Sequence, residues 1–327
     1  MPAEWSAIGA GLFCPVVVAP APGRVVLLAR SASGELMRRE RLPEGGWGSA
    51  RSLGVPTARS TGGGMDVPVD SQLAACGAGA DGDSAHDLEL LARSPDGDLL
   101  HMRQRGAGRA RFECLGAPAA VSGGRAIPVG IASPPAVCRG ASDRLEVFAV
   151  EPGGELLHAV RRAGEWEPFD GLGAPAGTPR IEAVAACACE PASIAVFRRG
   201  AAGDLLLKWW DGAAWSKYAS LGQPQVPDPS YPAVLAPAPL TGPPAGCSWG
   251  PSRLDVFARG ADGGLVHAWW DGGEWSSFES LGVPVSNDQA VPLTGFVSAC
   301  SAGEGTCDVV AGAVDGRLYH AVWSRDA

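Results

Sequence analysis

The chain has 327 residues, a net charge of −9 and no basic run, which argues against a nucleic-acid partner because phosphate binding needs clustered Lys and Arg. Glycine (46) and proline (28) are abundant while hydrophobic residues make up 46%, a balance of many turns and real strands rather than disorder. No apolar stretch approaches the ~20 residues of a membrane span. The N-terminal MPAEWSAIGAGLF lacks the charged and long apolar regions of a signal peptide. The expectation is a protein that is cytoplasmic as synthesised, with export by another route left open.

Six strand-like runs follow one another along the chain: VVLLAR from Val25, LELLAR from Leu88, LEVFAV from Leu145, IAVFRR from Ile194, LDVFAR from Leu254 and CDVVAG from Cys307. A glycine turn closes each: SASGEL, SPDGDL, EPGGEL, GAAGDL, GADGGL and AVDGRL. In such hairpins glycine supplies the positive φ. A second strand comes next, such as LVHAWW from Leu265, then a second turn such as DGGEW. A short strand then ends in Leu-Gly, at Leu53-Gly54, Leu115-Gly116, Leu172-Gly173, Leu221-Gly222 and Leu281-Gly282. Upstream of each run lies another apolar segment, for example AVLAPAP from Ala233. Four short strands in units of roughly 45–60 residues are the signature of propeller blades.

The sixth unit stops after LYHAVW and lacks its last strand, but EWSAIG, Glu4 to Gly9, fits the gap. Trp5 precedes Ile8 by the spacing that sets Phe112, Phe169, Tyr218 and Phe278 before their leucines. The predicted fold is therefore an all-β six-bladed β-propeller whose N-terminal strand closes the last blade and removes a free sheet edge. The blades are expected at 10–56, 57–118, 119–175, 176–224, 225–284 and 285–327 plus 1–9, as one domain.

The fifth unit reads CSWGPSRLDVFARGADGGLVHAWWDGGEWSSFESLG, Cys247 to Gly282. This resembles the repeat of the Photorhabdus luminescens lectin family of bacterial β-propellers. The fourth unit keeps KWWDGAAWSKYASLG, and the first has drifted furthest, with Arg38, Glu40 and Arg41 where the fifth has His267, Trp269 and Trp270. The resemblance implies a sugar-binding propeller, for fucose or O-methylated sugars held between blades, with glycans as partners, self-association left open and no cofactor.

Three constellations could carry chemistry. An acid and a histidine travel together: Glu89 with His101, Glu146 with His158, Asp255 with His267 and Asp308 with His320, both being lost in the first and fourth units. The two positions flank one hairpin and can meet across strands. Fourfold repetition and the lack of a repeated nucleophile favour a buried bond locking each blade over a catalytic pair, so the chain is read as leaning away from an enzyme.

Tryptophan, 11 in all, clusters late in the chain. Trp210, Trp270 and Trp323 share one repeat position, and Trp215, Trp249 and Trp275 accompany them. Indole faces pack on the C–H faces of sugars, while Asp211 and Asp271 could accept sugar hydroxyls. The competing reading is that these rings fill the wedges between blades. Since strand neighbours alternate, one ring of each Trp-Trp pair faces each way.

Nine cysteines without a signal peptide point to mostly reduced thiols. Cys76, Cys138, Cys187, Cys247 and Cys300 recur on the innermost strand, near the ring axis, where they could bind Cu or Zn or serve only as small hydrophobes. A Cys300–Cys307 disulfide is available in an oxidising space. The leading expectation is a lectin-like propeller. A channel that binds metal or runs a reaction is the first alternative, and a protein–protein scaffold the second.

Overall fold

The computed structural model describes residues 4–59, 66–69, 72–77, 87–104, 111–122, 125–140, 144–177, 181–190, 193–227, 230–231 and 233–325, and among these there is no helix. The chain forms a six-bladed β-propeller. Blade 1 runs outward through Leu12–Ala21, Arg24–Ser31, Leu36–Glu40 and Arg51–Ser52. Blade 2 uses Ala74–Gly77, Leu88–Arg93, Leu99–Gln104 and Arg111–Gly116. Blade 3 uses Ala136–Arg139, Arg144–Val150 and Leu156–Arg162, with an outer strand split into Glu165–Trp166 and Asp170–Gly171. Blade 4 uses Ala185–Glu190, Ser193–Arg199, Leu205–Trp210 and Ala219–Ser220. Blade 5 uses Ala245–Gly250, Arg253–Arg259, Leu265–Trp270 and Glu279–Gly282. Blade 6 uses Leu293–Gly303, Thr306–Ala313 and Arg317–Ser324, and its outer strand is Trp5–Ala10 from the other end of the chain. There Trp5 lies opposite Ala321 and Ala10 opposite Arg317, antiparallel. Each inner strand touches the inner strands of the blades before and after it, so the six close into a ring.

The apolar core is divided in the same way. Six buried clusters fill the six wedges between consecutive blades. In blade 5, Leu254, Val256 and Ala258 pack towards blade 4, while Phe257 packs towards blade 6. Alternation along a strand buried on both faces produces this split. It also explains why the runs read as continuously apolar.

All six hairpin tips carry a glycine at positive φ: Gly34, Gly97, Gly154, Gly203, Gly263 and Gly316. At three of them the tip also docks on the next blade, where Ile131, Leu240 and Leu293 donate their N–H to the carbonyls of Gly97, Gly203 and Gly263 at 2.7–2.8 Å. A Cβ on Gly263 would stand 2.8 Å from Pro292 Cβ. These glycines therefore serve the joint as well as the turn. On the same side, Arg199 and Arg259 end the second strands of blades 4 and 5 and donate to the carbonyls of Leu240 and Leu293.

One expectation about strands needs correcting. AVLAPAP is not the innermost strand of blade 5. Leu235–Pro237 pairs with Gln225–Pro227 as a separate hairpin between blades, and the innermost strand is Ala245–Gly250. Similar hairpins sit at Ala119–Ser122 with Arg125–Pro128 and at Val285–Ser286 with Gln289–Ala290, while Thr57–Arg59 with Asp66–Pro68 extends the blade 2 sheet by pairing in parallel with Arg111–Gly116. Val234 and Leu235 stand exposed in this segment, whereas the innermost strand buries Ala245 and Cys247.

Ring closure has its own clasp. The Arg39 guanidinium in blade 1 donates to the carbonyls of Ile8 at 2.7 Å, Gly48 at 2.7 Å and Trp47 at 3.2 Å. One side chain thus ties the N-terminal strand of blade 6 to the outer turn of blade 1.

Candidate functional site

The four acid–histidine pairs all form. His Nε2 meets the carboxylate at 2.7 Å for Glu89–His101, Glu146–His158 and Asp308–His320, and at 3.0 Å for Asp255–His267. The register explains the match. Asp255 lies opposite Trp269 and His267 opposite Phe257, so acid and imidazole are diagonal neighbours across the ladder.

Each of these histidines also meets an indole of the following blade. Trp166 stands edge-on to His101, Trp215 to His158 and Trp47 to His320, at 5.2–5.5 Å, while Trp323 tilts against His267 at 4.6 Å. In blade 4, where the pair is lost, Trp275 stands on Phe197 instead. The acid–histidine bond therefore fixes the surface on which the next blade rests. This supports the structural reading of the pair.

The same contacts sort the tryptophans. Trp215 and Trp275 come from the turns between third and outer strands and fill wedges. Trp210 and Trp270 lie beside them, at 5.5 and 6.1 Å between centroids. Trp209 packs into the wedge between blades 4 and 5 and Trp210 into that between blades 3 and 4, as alternation requires. Asp211 and Asp271 hold their own turns, each Oδ1 accepting two backbone N–H bonds. Those donors, Ala214 then Ala213 and Glu274 then Gly273, keep both carboxyls below their ordinary range.

Trp323 and Asp271 come together elsewhere, with residues that the sequence reading did not single out, and Trp249 lies behind them against Arg253. A cleft of about 910 Å³ crosses blade 6 from blade 5 to blade 1, lined by Trp5, Arg41, Trp269, Asp271, Glu279 and Trp323 among others. Its location follows from topology. In blades 3, 4 and 5 the turn after the third strand carries the wedge-filling tryptophan. In blade 6 the third and outer strands come from opposite ends of the chain, and among the described residues Ser324 and Trp5 border the cleft where the other blades place that turn.

The floor of the cleft is a charge relay of fixed geometry. Arg253 bonds both oxygens of Asp255 at 3.1 and 3.3 Å, and lies 5.2–5.6 Å from the rings of Trp249, Trp269 and Trp323. Asp255 receives His267 Nε2, and His267 Nδ1 meets Glu279 Oε1 at 2.8 Å. Trp323 Nε1 donates to the same Glu279 oxygen at 3.3 Å. The His267 bond is the main reason that the Glu279 carboxyl sits below the usual glutamate range, against some burial. His267 and Asp255 are fully buried, whereas the Glu279 side chain is 35% exposed and faces the cleft. Arg41 of blade 1 closes the far side and is anchored on Asp308 at 2.9 Å. The arrangement offers indole faces, a positioned carboxylate acceptor and guanidinium donors in one concavity.

In blade 2 Glu113 meets His101 Nδ1 at 2.9 Å in the same way, and in blade 3 Asp170 holds the same register position opposite His158. All three precede their Leu-Gly anchor by two residues, so a column-by-column comparison of the repeats contains the signal.

The five repeated thiols line a channel-side cavity of about 350 Å³. They do not converge on the axis. Cys138, Cys187, Cys247 and Cys300 each pack into the wedge against the next blade, and Cys76 packs against the corresponding wedge between blades 2 and 3. Among the described residues, no group of three or more His, Cys, Asp or Glu is arranged to hold a metal. The ring of Cu or Zn ligands expected from repeat position is therefore not formed among the described residues: that position faces the neighbouring blade, and the sulfurs fill space there. Burial pushes the Cys76 thiol up to about 12 and raises Cys138, Cys187 and Cys300 well above their ordinary value. Cys300 and Cys307 also lie in different wedges, and the ladder sets Cys300 opposite Asp308.

Residues 254–288 match the family model of a repeat of unknown function, DUF346. No curated protein matches the sequence. Among solved structures, the chain is similar to the Aleuria aurantia lectin in complex with Fucα1-6GlcNAc, at 14% identity and a TM-score of 0.62, over 97% of this chain and 94% of that one. It is similar to the BP39L lectin from Burkholderia pseudomallei, at 20% identity and a TM-score of 0.57, over 98% and 97%. It is also similar to AofleA from Arthrobotrys oligospora, at 13% identity and a TM-score of 0.58, over 99% and 87%. At these identities the likeness bears on the fold: a six-bladed propeller over essentially the whole chain.

Proposed function

We propose that this propeller binds carbohydrate without chemically altering it, through the cleft over blade 6. The observation that carries the reading is the juxtaposition of Trp323 and Trp269 with the half-exposed Glu279 carboxylate, whose orientation is set by His267 and Trp323. Indole faces suit the apolar C–H face of a sugar, and a fixed carboxylate suits its hydroxyls. The names of two of the similar structures support the ligand class, since they are lectins, one of them in complex with a fucosylated disaccharide. Together with the resemblance of Cys247–Gly282 to the Photorhabdus luminescens lectin repeat, they favour fucose or O-methylated sugars.

The residues proposed to touch ligand are Trp323, Trp269, Glu279 and Asp271 in this cleft, with Trp249 bracing Arg253 beneath it. Trp210 and Trp270, half-buried at the rims of the neighbouring junctions, are proposed as weaker platforms. Trp215, Trp275 and Asp211 take structural roles. A dense array of fucosylated and O-methylated glycans tests the reading. Binding that free sugar competes away is expected, and absence of any glycan binding at high density overturns it.

A further inference from the structure

We propose that Cys247 and Cys307 are a disulfide-forming pair that staples blade 5 to blade 6. Cys247 is on the inner strand of blade 5 and Cys307 on the second strand of blade 6. Their sulfurs are 3.0 Å apart, with Cys247 donating to Cys307, and both residues are buried.

The pair is singular within an otherwise regular pattern. At every wedge, a small residue of one inner strand shares the buried cluster with the residue that begins the apolar run of the next blade's second strand. Val18 shares its wedge with Leu88, Cys138 with Ile194, Cys187 with Leu254 and Cys300 with Val25, and Cys76 packs on the wedge that holds Leu145. At five of the six joints the receiving residue is thus aliphatic. Only blade 6 places cysteine there, and it faces the thiol of blade 5. Neighbouring structure favours this pairing over Cys300–Cys307, whose members lie on opposite faces of blade 6.

A disulfide needs the sulfurs at about 2.05 Å, so the contact has to close by roughly 1 Å. The oxidant would be a small disulfide such as oxidised glutathione. The thiolate of one cysteine attacks it and releases one glutathione thiolate. The second cysteine then attacks the mixed disulfide and releases the other. One S–S bond is consumed and one formed, and the two cysteine protons end on the two released glutathiones. Donation to Cys307, then burial, raises the Cys247 thiol well above its ordinary value, so the exchange is expected to be slow at neutral pH.

The test uses the full chain. Protein is held with oxidised glutathione at alkaline pH, free thiols are blocked with iodoacetamide, and the digest is mapped without reduction. A cross-linked peptide pair containing Cys247 and Cys307 is expected. With it should come a Tm roughly 5 °C above that of the reduced protein, reversed by dithiothreitol. Cys307→Ala should show neither the cross-link nor the rise. Recovery of Cys247 and Cys307 as alkylated or singly glutathionylated residues, under conditions that consume the half-buried Cys14, overturns the proposal. So does a cross-link from either to a different cysteine. The wild-type map decides the matter even if the variant fails to fold.

Discussion

His267 and Glu279 share a 2.8 Å bond between Nδ1 and Oε1, across the third and outer strands of blade 5. On its other side the same ring binds Asp255, which receives Arg253 as well. Removing the imidazole therefore strands a fully buried carboxylate with one partner and withdraws the support of Trp323. His267→Ala is expected to cost about 3–5 kcal/mol, as for breaking a buried ion pair. Glu279→Gln, at the partly solvated end of the relay, should cost less than ~1 kcal/mol. Urea unfolding of the two variants checks the order, and equal losses would contradict it.

The acid–histidine pair of blade 2 sets an acid limit. Burial pushes the Glu89 carboxyl up, but the bond and charge of His101, with Arg161 and Arg103, outweigh it and leave its pKa below the ordinary 4.5. A depressed folded pKa gives stability that is present above the unfolded value and lost as pH falls through the folded one. The Tm should thus be insensitive to this group above about pH 5 and fall below about pH 4. Glu89→Gln should lower Tm at neutral pH and reduce the slope on the acid side. A variant whose acid slope is unchanged would rule out this contribution.

Two glycines with nearly equal φ separate turn from joint. Gly263 (φ +77°) would bring a Cβ to 2.8 Å from Pro292, while Gly316 (φ +75°) has nothing within 4 Å. Gly316→Ala should cost only the left-handed backbone term of about 1–2 kcal/mol. Gly263→Ala should cost at least ~1 kcal/mol more, since Pro292 must shift. Thermal unfolding of both variants measures the difference directly.

Arg39 offers a test of closure. Arg39→Met keeps the aliphatic stem and deletes three bonds to main-chain carbonyls, one of them on the N-terminal strand. A loss of about 1–3 kcal/mol is expected, with faster amide exchange in Trp5–Ala10 than in Leu265–Trp270. Exchange that rises uniformly through the ring would assign Arg39 a general role and not a clasp.

The fold was legible because most blades repeat the same local devices. Leu-Gly anchors, tip glycines and acid–histidine spacing recur at fixed offsets, and Trp5–Ile8 reproduces the outer-strand pattern at the wrong end of the chain. The inter-blade hairpins were not, since AVLAPAP has the composition of an inner strand and only pairing decides between the two. The site was half legible. Trp323, Trp249 and Asp271 were in view, and the Glu279 position was readable only by comparing repeat columns, whereas Arg253 matters through its bonds to Asp255 and its place among three indoles. The thiols show the converse. Their repeat position correctly placed them on the inner strands, but a side chain there turns towards the next blade and not towards the axis.

The most direct test of the central claim is to run Trp323→Ala beside the wild type on one dense glycan array, after confirming that both fold. The account expects the wild type to bind fucosylated or O-methylated glycans and the variant to lose at least tenfold in apparent affinity, the worth of about one stacked ring. Wild-type binding that survives unchanged in Trp323→Ala, or no glycan binding by either protein, would contradict it.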